Sequence, residues 1–154
     1  AWSFHRTNQK LSSEFLVLEH WPEVMEEWIN SSQAKDCQML LDLKDSKINE
    51  VLESLRTTKE IGQSLDAEIV IACPYENPLY DVLTRYSEDL TELFIVSSVI
   101  IKGDEGSGEI KIDAKHASGV RCPRSWRWVP ELVEVENWGS VSPRCAEVLS
   151  KITN

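Results

Sequence analysis

AEIVIACP, residues Ala67–Pro74, decides how the chain is folded. Ile69, Val70 and Ile71 are β-branched, and Pro74 closes the run because it cannot donate to a strand ladder. This predicts a strand. The next segment, NPLYDVLTRYSEDL (77–90), switches to helical spacing, with Leu79, Val82, Leu83 and Tyr86 on one side. Asn77 is placed to cap it and Pro78 to open its first turn. LFIVSSVIIKG (93–103) predicts a second strand, buried by its composition, DEGSG (104–108) a turn, and EIKIDAKHA (109–117) an alternating edge or hairpin strand. A β-α-β-β unit over 65–117 follows.

The residues before it read as helical. WPEVMEEWI (21–29) puts Trp21, Val24, Met25 and Trp28 at helical spacing, with Pro22 in the first turn and Glu23, Glu26 and Glu27 where the helix dipole favours them. After a break at 30–35, a longer helix is predicted over about 36–60. Its stripe is Leu41, Ile48, Leu52 and Leu55, widened by Leu40 and Val51, and Gly62 is its natural stop. The tail, 118–154, is punctuated by Pro123, Pro130, Gly139 and Pro143 until a short helix near 144–152. The expected class is therefore α+β: a helical part over 1–64, a small β-α-β-β unit over 65–117, and a C-terminal degenerate zinc-ribbon-like knuckle over 118–154.

The knuckle is read from spacing. RCPRSWRW (121–128) and SPRC (142–145) have the C-x2-C…C-x2-C form, with Ser125 and Ser142 at two of the four ligand positions and Cys122 and Cys145 at the others. Structural zinc takes four thiolate or imidazole ligands, and a neutral hydroxyl replaces a thiolate poorly. Zinc binding of about 10–16 kcal/mol rests on the full set, so no tightly bound zinc is expected. His116 or a water is the alternative that would complete a site. Trp126, Trp128 and Trp138 could pack with Val129 and Leu132 as a substitute core, and Cys122 and Cys145 would lie close enough for a disulfide under oxidising conditions.

Composition bounds the function. With 154 residues, 42% apolar and 27% charged, this is one or two globular domains. No apolar run approaches the roughly 18–20 residues that span a bilayer, so no membrane partner is expected. The opening AWSFHRTNQK lacks the pattern of a signal peptide, so none is expected there, and its first residue is not Met, as in a piece of a longer polypeptide. Cys37, Cys73, Cys122 and Cys145 are spaced too unevenly for a secreted disulfide framework, which points to a reducing compartment. His5, His20 and His116 have no nucleophile or carboxylate arranged beside them, so no catalytic constellation emerges. The net charge of −10 argues against nucleic acid, yet 111–127 carries Lys111, Lys115, Arg121, Arg124 and Arg127 against Asp113 alone. Cations interleaved with Trp126 and Trp128 are the mixture that binds splayed RNA bases and their phosphates.

TKEIGQSLDAEIV (58–70) resembles the K-x-I-G-x-S-L-[ED]-A-x-V element of bacterial and organellar isoleucyl-tRNA synthetases. EFLVLEHWPEV (14–24), ELFIVSSVII (92–101) and CPRSWRW…SPRC are similar to further elements in the same order, the last to the family's terminal zinc peptide. The resemblance covers about 12–150. It implies the C-terminal region of such an enzyme: the tail of the anticodon-binding domain, a junction domain and the terminal knuckle. The implied partners are isoleucine tRNA and the catalytic part of the same polypeptide, in the cytoplasm or an organelle matrix. The family's H-I-G-H and K-M-S-K-S segments are absent here, so ATP and Mg belong to the parent enzyme, and this piece carries no catalytic residue or cofactor of its own. The tRNA contacts implied are Arg121, Arg124, Trp126, Arg127, Trp128 and Lys115, with Arg124 and Arg127 on phosphates and Trp128 or Trp126 stacked on a base. A stand-alone interaction module, its acidic body docking a partner protein, is the competing reading.

Overall fold

Residues Ala67, Ile69, Ile71 and Cys73 are all fully buried, while Glu68, Val70 and Ala72 between them are partly exposed. That alternation makes β1 (Ala67–Pro74) the central strand of a sheet with one covered face. The computed structural model describes residues 25–105 and 108–152, with the side chain of Ile152 left aside. β1 pairs in parallel with β2 (Ser98–Asp104), setting Ile69 opposite Val99 and Ile71 opposite Ile101. It pairs antiparallel with β3 (Lys111–His116), setting Ile69 opposite Ala114 and Ile71 opposite Ile112. The order is β2-β1-β3, so β3 is an edge strand beside β1 and not the hairpin partner of β2. The architecture is α+β.

The chain divides into two units, 1–32 and 33–154. In the first, Glu26–Trp28 forms one 3-10 turn between extended residues Met25 and Ile29, in place of the predicted α-helix. Trp21 and Val24, and the EFLVLEHWPEV motif (14–24), lie outside the described residues. Trp28 is exposed.

The long helix starts earlier than predicted. It runs as α1 (Ser31–Leu43), a wide π turn (Lys44–Ile48) and α2 (Asn49–Thr57). The wide turn corrects the apolar stripe. A uniform 3.6-residue period aligns Leu41 with Ile48, Leu52 and Leu55. The extra residue in the π turn rotates α1 relative to α2, so Leu40 and Leu43 are buried with Ile48, Leu52 and Leu55, and Leu41 is exposed. The helix end is also corrected. Lys59, not Gly62, takes the left-handed conformation, at φ 62°. Lys59 N–H bonds to Arg56 O at 3.1 Å and Glu60 N–H to Leu55 O at 2.9 Å, the paired closure that satisfies the last carbonyls. Ile61 then drops into the same core as the sheet.

From β1 the chain returns through α3 (Pro78–Arg85) and α4 (Leu90–Phe94). Asn77 Oδ1 accepts from Leu79 N–H at 3.0 Å and Pro78 opens α3, as the sequence predicts. The strand predicted from Leu93 starts only at Ser98. Leu93 and Phe94 finish α4, Ile95 turns left-handed at φ 59°, and Phe94 and Val96 fill the core. Lys44 Nζ donates to Leu93 O at 2.8 Å, and Arg85 pairs with Asp36 at 2.6 Å, so helix and crossover are tied at two points.

The C-terminal segment has its own small core of Cys122, Val141, Cys145 and Leu149, with Leu132, Val135 and Ala146 packed against it. Around it are β4 (Val120–Arg121) paired with β5 (Trp128–Val129), β6 (Val133–Val135) paired with β7 (Gly139–Val141), and α5 (Pro143–Ile152). The tryptophans expected as its core are not in it: Trp126 and Trp138 are 53% and 50% exposed.

Asp66 latches this segment to the sheet. Its Oδ2 accepts from Gly62 and Gln63 N–H at 3.1 and 3.0 Å, and its Oδ1 from Trp128 Nε1 at 3.0 Å. Beside it, Trp128 N–H donates to Ser97 Oγ at 2.7 Å, Ser97 Oγ donates to Leu65 O, and the His116 ring stands edge-on to the indole. Burial pushes the Asp66 carboxyl up, but the hydrogen bonds from Trp128, Gln63 and Gly62 outweigh it and hold the carboxyl below its usual value.

A depressed folded pKa stabilises above the unfolded value, about 3.9, and that stabilisation is lost as pH falls through the folded value. Asp66→Asn is expected to cost about 1.5–3 kcal/mol near pH 7, with the gap from wild type closing below about pH 4 in urea denaturation. Gly119 supplies a second test. It enters β4 at φ 105°, and a Cβ there would sit 2.2 Å from Val129 O. Gly119→Ala should cost about 2 kcal/mol or more, whereas Gly62→Ala, whose new carbon meets nothing closer than 3.5 Å, should stay within about 1 kcal/mol.

Candidate nucleic-acid interface

The β4–β5 turn is built on one left-handed residue. Cys122 N–H bonds to Arg127 O at 2.8 Å and Trp126 N–H to Cys122 O at 2.9 Å, and Trp126 itself has φ 63°. That backbone closes the turn and throws the Trp126 ring outward. Arg121 lies over this ring, its guanidinium carbon 5.5 Å from the centroid. A matching pair forms on the neighbouring β6–β7 turn, where Arg124 lies 5.2 Å from the Trp138 ring centroid. The second turn closes through Trp138 N–H to Val135 O at 3.0 Å, with Asn137 and Gly139 both at positive φ. The tip thus presents two guanidinium–indole pairs to solvent.

The remaining predicted contacts are placed differently. The Trp128 indole and backbone are held by Asp66 and Ser97, so of the two tryptophans Trp128 is the interior one and Trp126 the exposed one. Arg127 reaches Thr91 Oγ1 at 3.4 Å and Glu92 at 3.9 Å, and Arg144 pairs with Glu92 at 2.7 Å. Both therefore bridge the knuckle to α4. Lys115 stands on the uncovered face of the sheet, paired with Glu68 at 3.0 Å. Trp138 was missed as a tip residue. Its signal is the Asn137–Gly139 turn chemistry on either side, which sets a side chain at a turn apex and not in a core.

The four knuckle positions do converge. Cys122 Sγ lies 4.0 Å from Cys145 Sγ and accepts from Ser125 N–H at 3.5 Å and Ser142 N–H at 3.2 Å. Ser142 caps α5, accepting from Cys145 N–H at 3.4 Å, with Pro143 in the first turn. Burial pushes the Cys122 thiol up, but the hydroxyls and backbone N–H groups of Ser125 and Ser142 together hold it down to about 6. Two thiols and two neutral hydroxyls do not fit structural zinc. Among the described residues no three His, Cys, Asp or Glu side chains come together as a ligand set, and His116 bonds to Ala117 O at 2.7 Å instead of joining the cysteines.

No protein-family model matches the chain. Curated relatives do. It is 38% identical over 136 residues to the isoleucine–tRNA ligase of Thermotoga neapolitana, covering 85% of this chain and 14% of that protein. It is 35% identical over 140 residues to the one from Fervidobacterium nodosum, covering 88% of this chain and 15% of the relative. With the ligase of Thermoanaerobacter sp. the identity is 29% over 162 aligned positions, and the match covers 99% of this chain and 17% of the relative. The chain therefore spans about one-seventh of the length of the relatives it matches. Over most of its own length it is a homologue of the bacterial isoleucine–tRNA ligases.

Proposed function

We propose that this chain is the C-terminal, anticodon-arm-binding region of an isoleucine–tRNA ligase, and that ATP-dependent aminoacylation is carried out by a catalytic body elsewhere in the polypeptide. The observation that carries the reading is the pair of exposed guanidinium–indole couples, Arg121 with Trp126 and Arg124 with Trp138. An unpaired loop base stacks on an exposed indole, while a guanidinium beside it neutralises the flanking phosphate. Neither tip arginine is in an ion pair with a carboxylate among the described residues, so binding phosphate costs no existing salt bridge. The similarity to ligases from three bacterial genera supports isoleucine tRNA as the RNA. Arg127 and Trp128 then hold the tip in place and do not touch RNA, which narrows the contacts read from sequence.

The test uses the full-length ligase and its tRNA. Arg121→Ala with Arg124→Ala should weaken binding about tenfold or more and flatten the slope of log affinity against log salt by about two, one for each lost phosphate contact. Trp126→Ala should weaken binding with the salt slope unchanged. Gel-shift titrations at several salt concentrations read both. Unchanged affinity and slope in the double variant would remove the tip from the tRNA interface.

A further inference from the structure

We propose that Cys122 and Cys145 form a reversible disulfide clasp that closes the knuckle in place of a metal. Three observations support it. The two sulfurs face each other at 4.0 Å inside the small core, one on each arm of the knuckle. The donor set around them offers two hydroxyls where a tetrahedral metal site needs two further strong ligands, and the Ser125 Oγ is left buried without a partner. The other cysteines are elsewhere: Cys73 is buried in the sheet core and Cys37 is exposed on α1. Among the described residues of the reduced chain the arms meet through small apolar contacts, the Ser142 N–H donated to the Cys122 sulfur, and the exposed Arg124–Trp138 pair. Such a segment has little core of its own and gains most from a covalent staple. The bond would close a loop between residues 23 positions apart, of a size whose cross-linking restricts the unfolded chain substantially.

The chemistry balances with an organic disulfide as oxidant. Cys145 is 8% exposed and Cys122 fully buried, so Cys145 meets the oxidant first. Its thiolate attacks one sulfur of the organic disulfide, breaking that S–S bond and releasing one thiolate. Cys122 thiolate then attacks Cys145 Sγ, breaking the mixed disulfide and releasing the second. Two protein thiols lose two electrons and two protons, and one organic disulfide becomes two thiols. Cytosolic thiols reverse both steps.

The experiment uses the full-length protein carrying Cys37→Ser, which removes the exposed competitor. After treatment with oxidised glutathione, alkylation and digestion, the linked Cys122–Cys145 peptide should dominate and should disappear with dithiothreitol. Treatment should also slow proteolysis within the knuckle several-fold, and Cys145→Ser should abolish that protection. If the native protein does not react, the treatment is repeated in dilute urea, which opens the buried sulfurs. Free alkylation of both cysteines there, a glutathione adduct on Cys145 that Cys122 never displaces, or a link through Cys73 would each overturn the clasp. So would a loss of one zinc equivalent in the Cys122→Ser, Cys145→Ser double variant. None of these readouts depends on RNA, so the clasp and the tRNA reading fail separately.

Discussion

The Asp66 carboxylate is the constraint on which the arrangement of 33–154 rests. It satisfies the two N–H groups of the turn that enters β1 and the indole N–H of the residue that enters the knuckle. The Asp66 carbonyl also accepts from Ala117 N–H at 2.7 Å, where the chain leaves β3. One residue therefore orders the start of the central strand, the end of the edge strand and the root of the tip. Ser97, just before β2, repeats the pattern, bonding Ala67 O through its N–H, and Leu65 and Trp128 through its hydroxyl. A network in which each buried polar group has a partner is rigid in proportion to how fully it is satisfied. The root of the knuckle is rigid in that sense, and the unpaired Ser125 Oγ lies beyond it, toward the tip.

Inside the knuckle a sulfur has become the hub. A tetrahedral metal would organise four side chains about one centre. Here the Cys122 sulfur collects a backbone donor from each arm, and Ser142 does a second job as the cap of α5. Serine suits the cap better than cysteine does, because its oxygen is the stronger acceptor for the N–H groups of the first turn. A hydroxyl at this position is a poor metal ligand and a good helix cap, so the segment keeps its turn geometry with the Cys122 sulfur as its centre.

Much of this was legible in the sequence because local chemistry and tertiary context agree. Asn77 with Pro78 announces α3, the alternation from Lys111 to His116 announces an edge strand, and the C-x2-S…S-x2-C spacing brings its four positions together as read. The misses have physical causes. The π turn at Lys44–Ile48 changes the phase of the apolar stripe, and no side chain in KDSKI declares it. The left-handed Ile95 ends a helix where β-branched composition reads as continuous strand. Lys59 takes a conformation that glycine adopts more readily, because tertiary burial of Ile61 fixes the exit direction.

The placement of the tryptophans shows how much depends on one backbone angle. Trp126 and Trp128 are two residues apart, so in an unbroken strand both would face the same way. The left-handed turn at Trp126 breaks that alternation, sending its ring to solvent and leaving Trp128 to enter β5 pointing at Asp66. Arg121, cross-strand from Trp128 in the ladder, is thereby freed from the interior indole and lies over the exterior one. A Trp at φ 63° is strained by roughly 1–2 kcal/mol, and the hydrogen bonds across the turn hold it there. That strain is what separates an anchoring tryptophan from a displayed one within a stretch whose composition alone does not distinguish them.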